Sequence, residues 1–185
     1  GKVMEATGAA HSVGYWVVKV LGPKRAILAV VLSCAAMTYG GISLFVAIFV
    51  VYPIALSLYR EANVPRELIP GTFTLGAFTM TMTALPGSPQ IQNLIPMQYF
   101  GTTPNAAPVL GIISAVIMFV LGMIWLTWRQ KKMAKAGIGF TEPENVEAAK
   151  NDVKVMNPVL AFLPLVTVVV LLSALGLNIV VALLA

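Results

Sequence analysis

The stretch Leu85-Pro86-Gly87-Ser88-Pro89-Gln90-Ile91-Gln92-Asn93 interrupts an apolar tract that covers residues 68–100. Two prolines and a glycine so close together cannot continue a helix. Between Glu67 and Arg129 there is no Asp, Glu, Lys, Arg or His, and a charge-free run of that length requires a non-aqueous solvent. The stretch therefore predicts a helix that is broken within a membrane, where the freed backbone groups must be paired, line water or bind a solute.

The composition of the whole chain also indicates a membrane protein. Of its 185 residues, 58% are apolar and 10% are charged, and the mean hydropathy is +0.88. Soluble domains have about 45–50% apolar and about 25% charged residues. The net charge of +5 does not indicate nucleic acid, because the twelve Lys and Arg residues flank apolar tracts instead of forming a basic face. We therefore expect an all-α integral membrane protein that contacts the lipid bilayer and no nucleic acid.

A second break lies in the apolar tract of residues 26–59, which has basic residues at both ends. One straight helix over this tract would be about 50 Å long, whereas the hydrocarbon core is about 30 Å thick. The motif Thr38-Tyr39-Gly40-Gly41-Ile42-Ser43 near its middle is a turn signal. The tract either crosses the membrane twice as two short helices or turns partway across. The short arms and the lack of a polar loop favour a re-entrant hairpin over residues 24–62.

The remaining segments complete a topology. The positive-inside rule puts both ends of the hairpin and residues 129–135 in the cytoplasm, and the loop 101–104 outside. The predicted segments are an interfacial helix within 1–23, the hairpin at 24–62, a discontinuous transmembrane helix at 66–104, a transmembrane helix at 105–129, a cytoplasmic loop at 130–157 and a transmembrane helix at 158–185. The chain begins at Gly1 and stops at Ala185 within an apolar run, so we expect a piece of a longer polypeptide.

The two breaks supply candidate residues for a solute or ion site. Side-chain amides and hydroxyls offer both donors and acceptors, and discontinuous helices build such sites near the midplane of the membrane. The alternatives are a Pro-Gly loop at the membrane surface for the first break and a close helix crossing for the glycine pair. The predicted substrate- or ion-binding residues are Thr38, Gly40, Gly41, Ser43, Gly87, Ser88, Gln90, Gln92 and Asn93.

Threonines that precede the first break form another candidate feature. At α-helical spacing, Thr72, Thr79 and Thr83 share one face with Gly76. In a membrane, small and hydroxyl-bearing residues face other protein or a wet cavity rather than lipid. The three threonines therefore either line a solute path or pack against a neighbouring helix.

The sequence shows no pattern for catalysis or metal binding. Cys34 and His11 are the only cysteine and histidine, so no metal-ligand spacing exists. No pair of carboxylates and no nucleophile–base set lies in the apolar tracts. We expect no enzymatic activity, no cofactor and no metal site.

Four runs of sequence resemble the gluconate permease family of bacterial inner-membrane symporters. They are Tyr39-Gly40-Gly41-Ile42-Ser43-Leu44-Phe45, Ile69-Pro70-Gly71-Thr72, Ala84-Leu85-Pro86-Gly87-Ser88-Pro89-Gln90-Ile91-Gln92-Asn93-Leu94-Ile95-Pro96 and Tyr99-Phe100-Gly101-Thr102-Thr103. The resemblance implies proton symport of gluconate or related small hydroxy-acid anions, and some relatives carry D-serine. It also implies the architecture of the ion transporter superfamily, in which a re-entrant hairpin and an interrupted helix form half of the site and an inverted repeat supplies the other half.

Residues and resemblance together predict a secondary active transporter that imports gluconate or a related small organic anion. We expect a multi-pass homo-oligomer in the bacterial inner membrane, with the proton as coupling ion and sodium as the alternative. The tracts hold no titratable group beyond tyrosine and Cys34, so the group that takes the proton is expected in the rest of the protein. A non-transporting structural membrane subunit and a D-serine carrier are the alternative functions.

Overall fold

The computed structural model describes residues 9–143, and this part of the chain is helical with no strand, which confirms the predicted all-α fold. The helices are α1 (Ala9–Leu21), α2 (Ala26–Tyr39), α3 (Leu44–Glu61), α4 (Ile69–Phe73), a π-helical segment (Thr74–Ala84), α5 (Ile91–Phe100) and α6 (Pro108–Lys135), with 3-10 turns at Pro23–Arg25 and Arg66–Leu68. The predicted helix 158–185 and most of the predicted loop 130–157 lie outside the described residues.

Two of these helices are long and apolar enough to cross a membrane. They are α3, with 18 residues, and α6, with 28 residues. A third span results if the bent pair Gly14–Leu21 and Pro23–Tyr39 counts as one. The number and length of these candidates agree with the membrane class that the composition indicates.

A sharp bend separates α1 from α2. The two helices meet at 102°, and Gly22 between them has a φ of +66°, which glycine adopts without the strain of a Cβ atom. Ser33 Oγ donates a hydrogen bond to Gly14 O at 3.2 Å and ties the two helices together. The predicted interfacial helix thus lies nearly at right angles to α2, and its position in a membrane stays a prediction.

α2 and α3 form a helical hairpin with a turn at the glycine pair. The Ile42 N–H donates to Met37 O at 3.2 Å and the Gly41 N–H donates to Thr38 O at 3.0 Å. These two bonds form a Schellman motif, which satisfies carbonyls that the end of α2 leaves unpaired. With 14 residues, α2 is about 21 Å long. Re-entry of the hairpin into the membrane stays a prediction.

α4 continues as a π-helical segment, in which N–H groups bond to carbonyls five residues earlier. The Leu85 N–H shows this spacing at the end of the segment, where it donates to Met80 O at 2.8 Å. Thr81 Oγ1 also reaches back five residues, to Gly76 O at 2.9 Å, and hydroxyls that bond to helix carbonyls distort helices. The segment packs closely on α2 at Gly76. A Cβ atom added there would lie only 2.5 Å from Val31 O, so the close approach depends on glycine.

α6 runs antiparallel to the π-helical segment. Gly111 near the start of α6 packs against Ala84, and Gly122 farther along packs against Leu75. Only two residues of α6 are buried against the described part of the chain. Phe119, Met123 and Met133 are partly buried against the core, whereas many other apolar residues of α6 are exposed in the described part of the chain.

The end of α6 corrects a predicted boundary. The predicted transmembrane helix stopped at residue 129 and a loop began at residue 130, but the helix continues to Lys135. Gln, Lys, Met and Ala occupy positions 130–135, and all of them favour helix. The helix ends before Gly137, whose φ is +75°. The basic residues that follow the apolar tract thus lie on a helix and not in a loop.

Candidate solute site

The turn of the hairpin and the break after the π-helical segment are in direct contact. Tyr39 Oη donates a hydrogen bond to Pro86 O at 2.9 Å. Gln90 Nε2 donates to Thr38 O at 2.5 Å and to Ile42 O at 3.2 Å. The structure therefore brings together the two interruptions that the sequence singled out separately.

Gly41 of the turn is held against Pro89 of the break. Its φ is +80°, a conformation that L side chains rarely adopt, and a Cβ atom there would lie 2.9 Å from Pro89 Cγ. Gly40 beside it is buried. Both the backbone conformation and the close approach therefore favour glycine at position 41.

The three side-chain amides of the break have different surroundings. Gln90 is buried, and its amide nitrogen pairs with two carbonyls of the turn, so it holds the turn and the break together. Asn93 is half-buried, and its Nδ2 donates to Ser88 O at 3.1 Å, which leaves its oxygen as an acceptor. Gln92 is exposed. Gln92 and Asn93 are therefore better placed than Gln90 to bind a solute.

Ser88 is the most enclosed polar residue of the break. It is fully buried, and its hydroxyl has no hydrogen-bond partner among the described residues. An unpaired buried hydroxyl costs about 1–3 kcal/mol. The N–H of Gly87 beside it donates to Pro104 O at 2.8 Å, so the backbone of the break is also tied to the loop after α5.

Thr81, which is not among the predicted site residues, joins the site from the π-helical segment. Its hydroxyl lies 2.7 Å from that of Thr38, and both side chains are buried. The π-helical hydrogen bonds reach one residue farther than α-helical ones, which stacks Thr81 above Gly76. The five-residue spacing of Gly76 and Thr81 was visible in the sequence, but α-helical periodicity does not select it.

The three threonines predicted to share a face occupy different environments, which corrects that prediction. Thr72 is buried, with its hydroxyl 2.5 Å from Tyr59 Oη. Thr79 is half-buried and Thr83 is exposed, and each donates to the carbonyl four residues earlier. The π-helical turns change the direction of later residues relative to α-helical spacing. A role in lining a solute path stays a prediction for all three.

Packing against α6 shows how far along the axis of α6 the break lies. Gly111, the fourth residue of α6, packs directly on the main chain of Ala84, and a Cβ atom there would lie 3.6 Å from Pro86 Cδ. The break is therefore about 5 Å from the start of α6. This level is near the end of α6 that is away from its basic residues. The position of the site at the membrane midplane stays a prediction.

A cavity of about 230 Å³ opens beside the break. Its polar side chains are all neutral: they are Thr83 at the end of the π-helical segment, Gln92 and Asn93 at the start of α5, and Thr102 and Thr103 in the loop after α5. Among residues 9–143, no charged residue lines it. The neutral side chains that line the cavity can therefore form hydrogen bonds with a small polar solute.

A larger cavity of about 550 Å³ lies at the opposite end of the hairpin, where Lys24, Arg25, Glu61 and Gln130 contribute to its lining. None of the predicted site residues lines it. Size alone therefore does not identify the candidate site, and we assign it to the smaller cavity because Gln92 and Asn93 are there.

One predicted residue is less closely connected with this site. Ser43 is exposed immediately before α3, and its side chain makes no capping bond to that helix. Thr38 and Gly41 contact residues of the break directly. The structure therefore supports a role at the contact more strongly for Thr38 and Gly41 than for Ser43.

Comparison with known proteins identifies the family. Residues 1–183 match the model of the GntP family permeases. The chain is 49% identical over 177 residues to the uncharacterized transporter YxjC of Bacillus subtilis (strain 168), and the match covers 91% of this chain and 38% of that protein. This chain thus spans well under half the length of that curated relative. No solved structure matches it. The resemblance seen in the sequence is confirmed, and the chain belongs to the GntP family of permeases.

Proposed function

We propose that the protein containing this chain is a secondary active transporter that imports gluconate or a related small hydroxy-acid anion across the bacterial inner membrane. Membership of a permease family and similarity to a protein named as a transporter support membrane transport. The structural observation that carries the proposal is the contact between the two breaks at Gln90 and Thr38, beside a neutral polar cavity.

In this proposal the solute binds where the break meets the cavity. Gln92 and Asn93, which line the cavity, supply amide groups. Ser88 has a hydroxyl without a partner among the described residues, but it is fully buried and does not line the cavity, so we assign it no contact with the solute. The backbone N–H groups at the start of α5 favour a carboxylate, because a helix N-terminus carries partial positive charge. Gln90 and Gly41 hold the turn and the break in place and do not bind the solute themselves.

Coupling to a proton requires a titratable group within the membrane. From residue 68 to residue 128 the sequence has no carboxylate and no imidazole. We therefore assign the proton-accepting group to the part of the protein that this chain does not include. Sodium held by carbonyl and hydroxyl oxygens is the alternative coupling ion.

A structural membrane subunit is a second candidate, and one observation favours it. The hydrogen bonds of Gln90 and Tyr39 satisfy groups within the chain, as packing of helices alone would require. If the protein is such a subunit, substitutions in the break lower its stability in detergent, and neither the wild type nor the variants transport a solute.

Counterflow of labelled gluconate into vesicles that contain the intact protein tests the proposal. Gln92→Ala and Asn93→Ala each remove a neutral hydrogen-bonding group, so we expect KM to rise about two- to tenfold. Gln98→Ala is the matched control, because Gln98 is also exposed on α5 but does not line the cavity. An unchanged KM in both cavity variants would show that the site is wrongly assigned.

The same preparation separates the possible substrates. Unlabelled D-serine and sugar acids other than gluconate are added as competitors, and the strongest competitor identifies the substrate class. If the intact protein exchanges neither sugar acids nor D-serine, the transport proposal for these substrates is wrong and the structural-subunit alternative gains support.

A further inference from the structure

We propose that Thr83, Thr102 and Thr103 form a subsite that recognises hydroxyl groups on the carbon chain of the solute. This inference rests on the proposed function and adds a determinant of specificity to it. The subsite would favour polyhydroxylated acids over acids that lack individual hydroxyl groups.

The three hydroxyls come from separate parts of the chain and line one cavity. Thr83 lies at the end of the π-helical segment, whereas Thr102 and Thr103 follow α5. Thr83 Oγ1 already donates to Thr79 O at 2.8 Å, so its free lone pairs act as acceptors. Thr102 and Thr103 are exposed, and no hydrogen bond from either hydroxyl is made within residues 9–143. Together they offer both donors and acceptors to an alcohol group.

The loop that carries Thr102 and Thr103 is held in position by the break. α5 ends at Phe100, and Gly101, which caps it, has a φ of +62°. The Gly87 N–H donates to Pro104 O at 2.8 Å, and the Ala106 N–H donates to Thr103 O at 3.0 Å. These bonds fix the cavity wall before a solute arrives, which reduces the entropy that binding must otherwise overcome.

The charge of the cavity distinguishes this role from that of a carboxylate site. No Lys or Arg in the described part of the chain lines it, so no side chain from this part neutralises the negative charge of a solute there. Alcohol groups, in contrast, pair well with neutral hydroxyls and amides. At about 230 Å³ the cavity is smaller than the roughly 300–1,000 Å³ typical of sites for drug-sized ligands, which suits a small solute.

The test compares substrate selectivity in vesicles that contain the intact protein. Labelled gluconate is the transported probe, and unlabelled gluconate and each of its singly deoxygenated analogues are the competitors. We expect wild-type protein to bind at least one analogue more weakly than gluconate. In the double variant Thr102→Val/Thr103→Val, the difference in binding between gluconate and that analogue should shrink about two- to tenfold. The hydroxyls that recognise the missing group are absent from this variant.

Two controls make the result specific. Thr102→Ser/Thr103→Ser keeps both hydroxyls and should keep the wild-type selectivity. Thr141→Val changes an exposed threonine that does not line the cavity and should also behave as wild type. If the double valine variant does not give a folded protein on size-exclusion chromatography, the single variants Thr102→Val and Thr103→Val replace it.

The outcomes separate this inference from the function on which it rests. If wild-type protein transports gluconate and the valine variants retain its selectivity, the subsite is wrong and the transport function stands. If wild-type protein transports gluconate without discriminating any deoxygenated analogue, the subsite is again wrong. If wild-type protein transports no hydroxy acid, both the proposed function and the subsite are overturned.

Discussion

The side-chain nitrogen of Gln90 lies 2.5 Å from the main-chain oxygen of Thr38 and donates a hydrogen bond to it. The same nitrogen donates to Ile42 O at 3.2 Å, so one amide pairs with carbonyls on both sides of the hairpin turn. Carbonyls without a partner are costly in an apolar surrounding. Thr38 O also accepts from the Gly41 N–H, so the amide adds a second donor there and supplies a side-chain donor to Ile42 O. The turn and the break therefore behave as one structural unit, and a change at either should affect the other.

Replacing Gln90 by Leu should destabilise the intact protein. The change removes the side-chain donor of Ile42 O and one of the two donors of Thr38 O, which keeps its bond from the Gly41 N–H. An unsatisfied buried acceptor costs about 1–3 kcal/mol. We expect the midpoint of thermal unfolding in detergent to fall. Gln98→Leu is the control, since Gln98 is exposed on α5. Equal midpoints for the two variants would contradict the bridging role of Gln90.

Replacing Gly41 by Ala should be more harmful than replacing Gly137 by Ala. Both glycines have positive φ, at +80° and +75°, so both variants incur the left-handed strain of roughly 1–2 kcal/mol. Only at Gly41 does the new Cβ atom also meet a neighbour, Pro89 Cγ at 2.9 Å, whereas nothing lies within 4 Å at Gly137. Unfolding midpoints and counterflow rates of the intact variants measure the difference, and equal losses would show that the Pro89 contact is unimportant.

Thr38 and Thr81 should show energetic coupling in a double-mutant cycle. Their hydroxyls lie 2.7 Å apart and are buried. In Thr38→Val, Thr81→Val and the double variant, we expect the free energies of unfolding to deviate from additivity by about 0.5–1.5 kcal/mol. The cycle of Thr38→Val with Thr74→Val is the control, because Thr74 is exposed and bonds to Pro70 O. Additive losses for Thr38 and Thr81 would argue against this contact.

Cysteine labelling should place the loop after α5 and the end of α6 on opposite sides of the membrane. In intact cells, a membrane-impermeant maleimide should label Thr103→Cys, but it should label Lys131→Cys only after the membrane is permeabilised. The native Cys34 is fully buried, so wild-type protein should remain unlabelled and serves as the control. Labelling of both introduced cysteines from outside would contradict the predicted topology.

Much of the helical architecture could be predicted because local chemistry determines where helices stop. Pro86, Gly87 and Pro89 cannot continue a helix, and the structure has a break after Ala84 that ends where α5 begins. The tract of residues 26–59 is too long for one span, and its turn lies at the glycine pair. The helix α6 extends beyond the predicted boundary, because the basic residues that follow the apolar tract also favour helix.

The sequence by itself determined the membrane class, the family resemblance and the positions of both breaks, since these depend on composition and on residues adjacent in the chain. Tertiary structure alone decided which polar groups meet. The hydroxyl of Thr38 pairs with that of Thr81, which is 43 residues away. The side chain of Gln90 donates to the turn and does not line the cavity. The π-helical turns set the direction of Thr81, and packing against Gly111 sets the level of the break. Such relations depend on how helices rotate and approach one another, and periodicity along a single helix does not contain that information.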